Sequence, residues 1–191
     1  ALIFPKLYYN LHIWCSFSDV QMHHLNVFHM RVCRKLYGFD HLHPVSDDRI
    51  QSNIRILPPA YHIRRSRLLY LGRLFIHGPP ELLGVIAASL HSYLIDNYTY
   101  SWLAALHQDI VWISARCPQF EPFKELSLLE ILHSMEFRMM LSSNSWSKHV
   151  KVVFENILDD WKYSPDPLTG WHLHSVGHLR ASFLVTAHQP K

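Results

Sequence analysis

Glycine and charged residues are scarce in this chain of 191 residues, and only three cysteines occur. Six glycines are too few for a sandwich or barrel, which uses glycine at many of its turns, and for a low-complexity chain. Charged residues make up 17% of the chain against a usual value of about 25%, while 49% of its residues are apolar. Intrinsic disorder requires the opposite balance, so the composition predicts a globular, helical protein with a real core.

The cysteines indicate the redox state of the compartment, and the apolar stretches show whether a transmembrane helix is predicted. Cys15, Cys33 and Cys117 are odd in number and widely spaced, which argues against a disulfide framework. We therefore expect a reducing intracellular compartment or an organelle rather than secretion, and we expect no signal peptide. A start at Ala1 rather than at Met suggests a fragment or a processed product. The longest apolar stretch, residues 82–95, is shorter than the roughly 20 residues that cross a bilayer, so no transmembrane helix is predicted.

Helix signals follow one another along most of the chain. Ser18, Ser101 and Ser127 are suited to cap helices at their N-termini, and Gly38 and Gly78 are suited to end two of them. We predict an all-α fold, an irregular bundle of about seven helices, with a short strand or extended segment left open at each terminus. Residues 1–164 are expected to form the helical domain and residues 165–191 a C-terminal tail.

Motifs of known enzymes are absent from the sequence. No phosphate-binding glycine loop, nucleophile elbow or HExxH motif occurs, and we predict that the chain is not an enzyme. The adjacent carboxylates Asp47 and Asp48 are a conceivable magnesium site, but they follow Ser46 at the predicted start of a helix. Carboxylates are stabilised there by the helix dipole, so we interpret this pair as structural.

Sixteen histidines raise the question of a metal. His172, His174 and His178 in the tail form one weak candidate set for zinc. A second set consists of Cys15, His24, His29 and Cys33, in which His29 and Cys33 are one helical turn apart. Neither spacing matches a standard zinc motif, so no metal and no cofactor are predicted.

The best functional signal is a basic helix. Residues 1–77 hold ten Lys or Arg against four Asp or Glu, whereas residues 78–191 hold eight against eleven. Guanidinium groups bind phosphates in a bidentate manner without reading bases. We predict that Arg64 and Arg67 share a face directed away from Leu71 and Leu74, where they would contact a nucleic-acid backbone. The nucleic-acid-binding candidates are Arg64, Arg65, Arg67, Arg73 and, on the preceding helix, Arg55.

Residues 32–112 also resemble a known family. The segments LHPxSDxRI, RRxRLxYLGRLxxHGPP and WLxxLxxDxxWI occur here in that order. This series resembles the helical region that follows the polymerase core in non-LTR (LINE-type) retrotransposon reverse transcriptases of protists. The resemblance implies a helical fold that holds template, primer or element RNA, with Arg64, Arg65, Arg67 and Arg73 as backbone contacts. The polymerase motifs and the zinc-knuckle cysteines of some relatives are missing.

Two functional hypotheses follow from these patterns, with a third of a different kind. In the first, the chain is a non-catalytic, nucleic-acid-binding region derived from a reverse transcriptase, whose partner is RNA or DNA. In the second, it is a structural or accessory subunit of a large protein complex, organellar or membrane-associated, whose partners are protein neighbours. Low charge and many apolar helices are typical of such subunits. The third is a metal-dependent hydrolase that uses the histidine clusters.

Overall fold

The regular structure of this protein, described by a computed structural model, is helical. The described residues are 8–13, 15, 17–38, 46–54, 56–96, 100–143 and 145–163. The α-helices in chain order are α1 (Asp19–Tyr37), α2 (Asp47–Ile54), α3 (Pro59–His77), α4 (Pro80–Asp96), α5 (Trp102–Ser114), α6 (Leu128–His133), α7 (Met135–Ser142) and α8 (Ser145–Tyr163). Two 3-10 helices cover Leu11–Ile13 and Pro118–Phe123. No strand occurs among these residues, so the predicted all-α class is confirmed.

The helix ends follow from local chemistry. Ser18 caps α1 in a reciprocal capping box with Gln21, and Gly38 ends it in the left-handed conformation with φ 82°. Ser127 forms the same kind of box with Glu130 at the start of α6. These caps lie where the sequence predicts them, because each depends on residues within one turn of the chain.

From the Ser127 cap the sequence pattern predicts one continuous helix to Leu141, and the structure interrupts this helix. Ser134 has extended backbone angles (φ −60°, ψ 125°), and its hydroxyl accepts a hydrogen bond from the Phe137 backbone N–H. This serine therefore ends α6 and caps α7 at the same residue, and it divides one expected helix into two. A strand or extended segment was left open at each terminus. Near the N-terminus the described residues include a 3-10 helix, Leu11–Ile13, and the C-terminal segment lies outside the described residues.

The chain divides into two compact units, and the predicted boundary after residue 164 stays a prediction. Unit 1 comprises Ala1–Ser16 and His62–Phe154, and unit 2 comprises Phe17–Tyr61 and Glu155–Lys191. Within unit 2, α1 packs against α2. There Arg34 Nε donates a hydrogen bond of 3.0 Å to Asp47 Oδ1, which joins the end of α1 to the start of α2.

Unit 1 has an aromatic core around Trp146. The Trp146 indole N–H donates a 2.7 Å hydrogen bond to the Leu68 carbonyl of α3, and the Phe120 ring lies 5.0 Å from the indole between centroids. Gly72, one turn beyond Leu68, is packed so closely against the indole that a Cβ there would lie 2.7 Å from Trp146 Cδ1. A glycine is therefore required at this contact between α3 and α8.

Candidate functional site

The arginines of α3 do not form the exposed ridge that the sequence predicts. A helix places residues four apart on one face, so Ile63, Arg67 and Leu71 form a single stripe. Ile63 and Leu71 are buried, and the Arg67 side chain is only 6% exposed. The prediction that Arg67 faces away from Leu71 is wrong for this reason. Arg64 lies beside the stripe with 22% of its side chain exposed.

Both arginines bind a single carboxylate of α5. Arg64 Nε donates to Asp109 Oδ1 at 2.8 Å, and an Arg67 terminal nitrogen donates to Asp109 Oδ2 at 2.8 Å. The Asp109 side chain is only 4% exposed. Because the two oxygens of one buried carboxylate are used by two guanidinium groups, these arginines join α3 to α5 within unit 1.

Trp112 covers this ion pair one turn along α5. The guanidinium carbon of Arg64 lies 4.5 Å from the Trp112 ring centroid, and that of Arg116 lies 4.3 Å from it. Phe154 of α8 stacks on the same indole with 5.4 Å between ring centroids. Cation–π and aromatic contacts of this kind exclude water from the Arg64–Asp109 pair and strengthen it.

The other candidate arginines lie in different environments. Arg65 is half-buried, and its Nε is buried without a hydrogen-bond partner. Arg73 is exposed, and no ion pair to it is found in the part of the chain that the structure describes. Arg55 lies outside the described residues. The structure thus brings Arg64 and Arg67 together on Asp109, and of the four described candidates only Arg73 matches the predicted open, water-facing position.

Asp109 is the site residue that the sequence analysis missed. It is the only Asp, Glu, Lys or Arg in α5, whose sequence is WLAALHQDIVWIS. A lone acid in an apolar helix is a signal for a buried ion pair, because a buried carboxylate needs a cation. Its partners lie 42 and 45 residues away in sequence, so this signal alone does not identify them.

The described residues assemble no candidate metal set. His29 Nε2 and Cys33 Sγ lie 3.4 Å apart and are both buried, but within the described ranges no three His, Cys, Asp or Glu side chains come close enough to hold a metal. Burial, with a smaller effect of the Asp47 charge, raises the pKa of the Cys33 thiol to about 12. A thiol held in its protonated form is a poor ligand. His172, His174 and His178 lie outside the described residues.

Asp47 has the structural role that we expected of it. Its carboxylate lies in the first turn of α2 and accepts hydrogen bonds from two nitrogens of Arg34, at 3.0 Å and 2.5 Å. The Asp48 side chain lies outside what the structure describes. An acid already paired with an arginine has fewer oxygens left for magnesium.

Comparisons with known proteins add no assignment. Neither the models of protein families, nor the curated proteins, nor the solved structures contain a match to this chain. The resemblance to reverse transcriptases therefore stays a prediction that is supported by the three sequence segments alone. In the described part of the chain, no helix combines the length and the apolar character needed to span a membrane.

Proposed function

We propose that this chain is a non-catalytic structural region of a larger protein assembly and that α4 is its contact with a neighbouring protein. The observation that supports the proposal is a mismatch between the composition of α4 and its burial. Ten of its 17 residues are apolar, and its two charged residues are Glu81 at the start and Asp96 at the end. No side chain of α4 that the structure describes is buried.

Helix α5 provides an internal comparison. Nine of its 13 residues are apolar, a similar share, and nine of the 13 are buried. Helices that are apolar on all sides are usually buried, because exposed apolar surface is costly in water. On α4, Val85 is 60% exposed and Leu94 is 46% exposed. The same composition with the opposite burial supports a partner that covers α4.

One side of α4 packs against α5, so a partner protein would contact the opposite side. Helix α4 packs against α5, and the Tyr93 hydroxyl lies 3.4 Å from His107 Nδ1 of that helix. The exposed residues Gly84, Val85 and Ala88 are small or β-branched. Apart from its chain neighbours and the backbone of α4, no described atom lies within 4 Å of a Cβ built on Gly84. Such a surface allows another helix to approach closely, so we expect the partner to present an apolar helix.

The basic helix supports nucleic-acid binding less well than the sequence suggested. A phosphate contact needs an accessible guanidinium, whereas Arg67 is buried and Arg64 is committed to Asp109. Turning either arginine toward a nucleic acid would leave a buried carboxylate without one of its partners, which costs several kcal/mol. Tight nucleic-acid binding would therefore overturn the proposal.

Site-specific photocrosslinking in cells that express the full chain tests the proposal. A photoreactive residue at position 85 should give one discrete adduct with a protein, whereas the same residue at position 151, an exposed lysine of α8, should not. The double variant Val85→Glu/Leu94→Glu should abolish this adduct when the photoreactive residue is moved to position 88. The matched variant Met139→Glu/Val152→Glu, which changes exposed apolar residues elsewhere, should retain it.

Binding to RNA is measured on the same purified chain. We expect weak binding that Arg73→Ala leaves unchanged. Arg73 is the position to change because, of the candidate arginines that the structure describes, it alone is exposed. Tight RNA binding that falls steeply with salt and is lost in Arg73→Ala would overturn the proposal in favour of a nucleic-acid-binding region. The absence of any protein adduct at position 85, together with a monomer that binds no hydrophobic dye, would also overturn it.

A further inference from the structure

Residues 8–13 of unit 1, here called the strap, contact α3 and α5 through two ring contacts and one hydrogen bond. The Tyr8 ring stacks on His62 of α3 with 4.4 Å between centroids and 22° between planes. The His12 ring lies 4.4 Å from Tyr70, two turns further along α3. The Trp102 indole N–H donates a 2.8 Å hydrogen bond to the His12 carbonyl. In each of the two ring contacts, one partner is a histidine and the other is a tyrosine.

The strap turns back on itself by a single unusual residue. Asn10 has φ 59°, the left-handed conformation that asparagine adopts more readily than most residues. Its carbonyl accepts a hydrogen bond of 3.1 Å from the Ile13 backbone N–H. Two side chains of the strap are largely open to solvent, since Tyr9 is 74% exposed and Ile13 is 50% exposed. The two ring contacts and the bond from Trp102 are attachments of the strap within the part of the chain that the structure describes.

We propose that the strap is an acid-sensitive device, which is attached to α3 while His12 and His62 are neutral and is released when they are protonated. A neutral imidazole stacks on a phenol ring without penalty in a partly buried setting. An imidazolium there would have to be desolvated. It would also lie near a second positive charge, since the charges that act on His62 and His12 are those of Arg65 and Arg73 respectively.

The direction of both titrations agrees with this geometry. Burial, followed by the positive charge of Arg65, lowers the pKa of His62 from 6.5 to about 4. Burial, followed by the charge of Arg73, also lowers the pKa of His12. A group whose pKa is lower in the attached state takes up a proton on release, so acid favours release. If release restores the ordinary pKa of His62, the release constant rises about 30-fold at about pH 5.

A dye on Cys15 reports release of the strap in the full chain. Cys15 is exposed and lies two residues beyond the strap, whereas Cys33 and Cys117 are buried. Burial raises the pKa of both buried thiols, so a maleimide dye at neutral pH reacts selectively with Cys15. We expect the anisotropy of the dye to fall between about pH 7 and about pH 5 while the far-ultraviolet circular dichroism stays constant.

The decisive variant keeps the rings and removes the protons. His12→Phe/His62→Phe should hold the dye anisotropy constant over this pH range, because phenylalanine stacks but cannot be charged. The matched variant His23→Phe/His24→Phe, at two exposed positions of α1, should retain the fall in anisotropy. A fall of equal size in the His12→Phe/His62→Phe protein would overturn the proposal, as would a constant anisotropy in the unsubstituted protein.

Hydrogen exchange on the unsubstituted protein keeps the proposal testable if the double variant fails to fold. After correction for the intrinsic effect of pH on exchange, the amides of residues 8–13 should lose protection on acidification before those of α5 do. Simultaneous loss of protection in both segments would mean global unfolding rather than release, and it would contradict the proposal.

Discussion

Replacing Asp109 by asparagine removes the one negative charge that Arg64 and Arg67 share. The substitution keeps the size of the side chain and one acceptor oxygen, so its effect comes mainly from charge. Arg67 would remain 6% exposed without a counterion. Breaking a buried ion pair by removing one partner costs about 3–5 kcal/mol. Since a small domain is stable by only about 5–15 kcal/mol, Asp109→Asn should remove much of the stability of unit 1.

Urea unfolding followed by circular dichroism measures this loss as a change in the free energy of unfolding. The control is Glu125→Gln, because Glu125 Oε1 lies 3.8 Å from Lys124 Nζ in an ion pair whose two side chains are exposed. This surface pair should contribute under about 1 kcal/mol. A loss for Asp109→Asn no larger than that of the control would refute the interpretation of a buried ion pair that supports the fold.

A second pair of variants separates charge from packing at the same place. The double variant Arg67→Leu/Asp109→Leu should be more stable than Asp109→Asn, because apolar side chains replace a buried pair with little loss. Arg64 is 22% exposed, so its guanidinium can be hydrated once Asp109 is gone. Equal destabilisation by the two variants would mean that packing around Trp112, rather than charge, dominates the site.

Three further predictions concern single positions. Gly72→Ala should lower the free energy of unfolding by about 1–3 kcal/mol, because the added Cβ would lie 2.7 Å from Cδ1 of the buried Trp146. The control Gly84→Ala places its Cβ in open space and should be neutral or stabilising in the same urea titration. Ser127→Ala should cost about 1 kcal/mol through loss of the capping box, measured as a shift of the thermal midpoint. Lowering the pH from 6.5 to about 4 should reduce the free energy of unfolding by at most about 3 kcal/mol through His62, because the unfolded state binds the proton more readily than the attached state. The reduction is smaller once the strap is released, since the released and unfolded states then bind the proton equally well, and His62→Phe should lessen the change of the urea midpoint with pH.

Local features of this fold could be predicted from sequence, and long-range features could not. The caps at Ser18 and Ser127 were predicted because their hydrogen bonds join residues three apart. The break at Ser134 was missed because serine is also accepted inside helices, so its presence does not decide the backbone angle. The partners of Asp109 were missed because contacts across 42 and 45 residues depend on how helices pack.

The burial of whole helices, like their long-range contacts, could not be predicted from the sequence. Helices α4 and α5 have nearly the same share of apolar residues, yet no described side chain of α4 is buried and most of α5 is. Apolar composition shows that a helix has apolar surface to bury, but it does not identify the helix or partner that buries this surface. Within α3, in contrast, the position of Arg67 four residues after Ile63 and before Leu71 already indicates its burial. That signal was present in the sequence, and the cluster of charges obscured it.

Two of the three segments that carry the resemblance to reverse transcriptases supply residues with structural roles in unit 1. The RRxRL segment supplies the two arginines bound to Asp109, and the WLxxLxxDxxWI segment supplies Asp109 and Trp112. Gly72 of the same α3 segment makes the close contact with Trp146. A series of motif residues that hold two helices together predicts a shared fold, and a fold can serve different functions. The function of this chain therefore has to be argued from its surface, where α4 exposes apolar residues that its composition would lead one to expect buried.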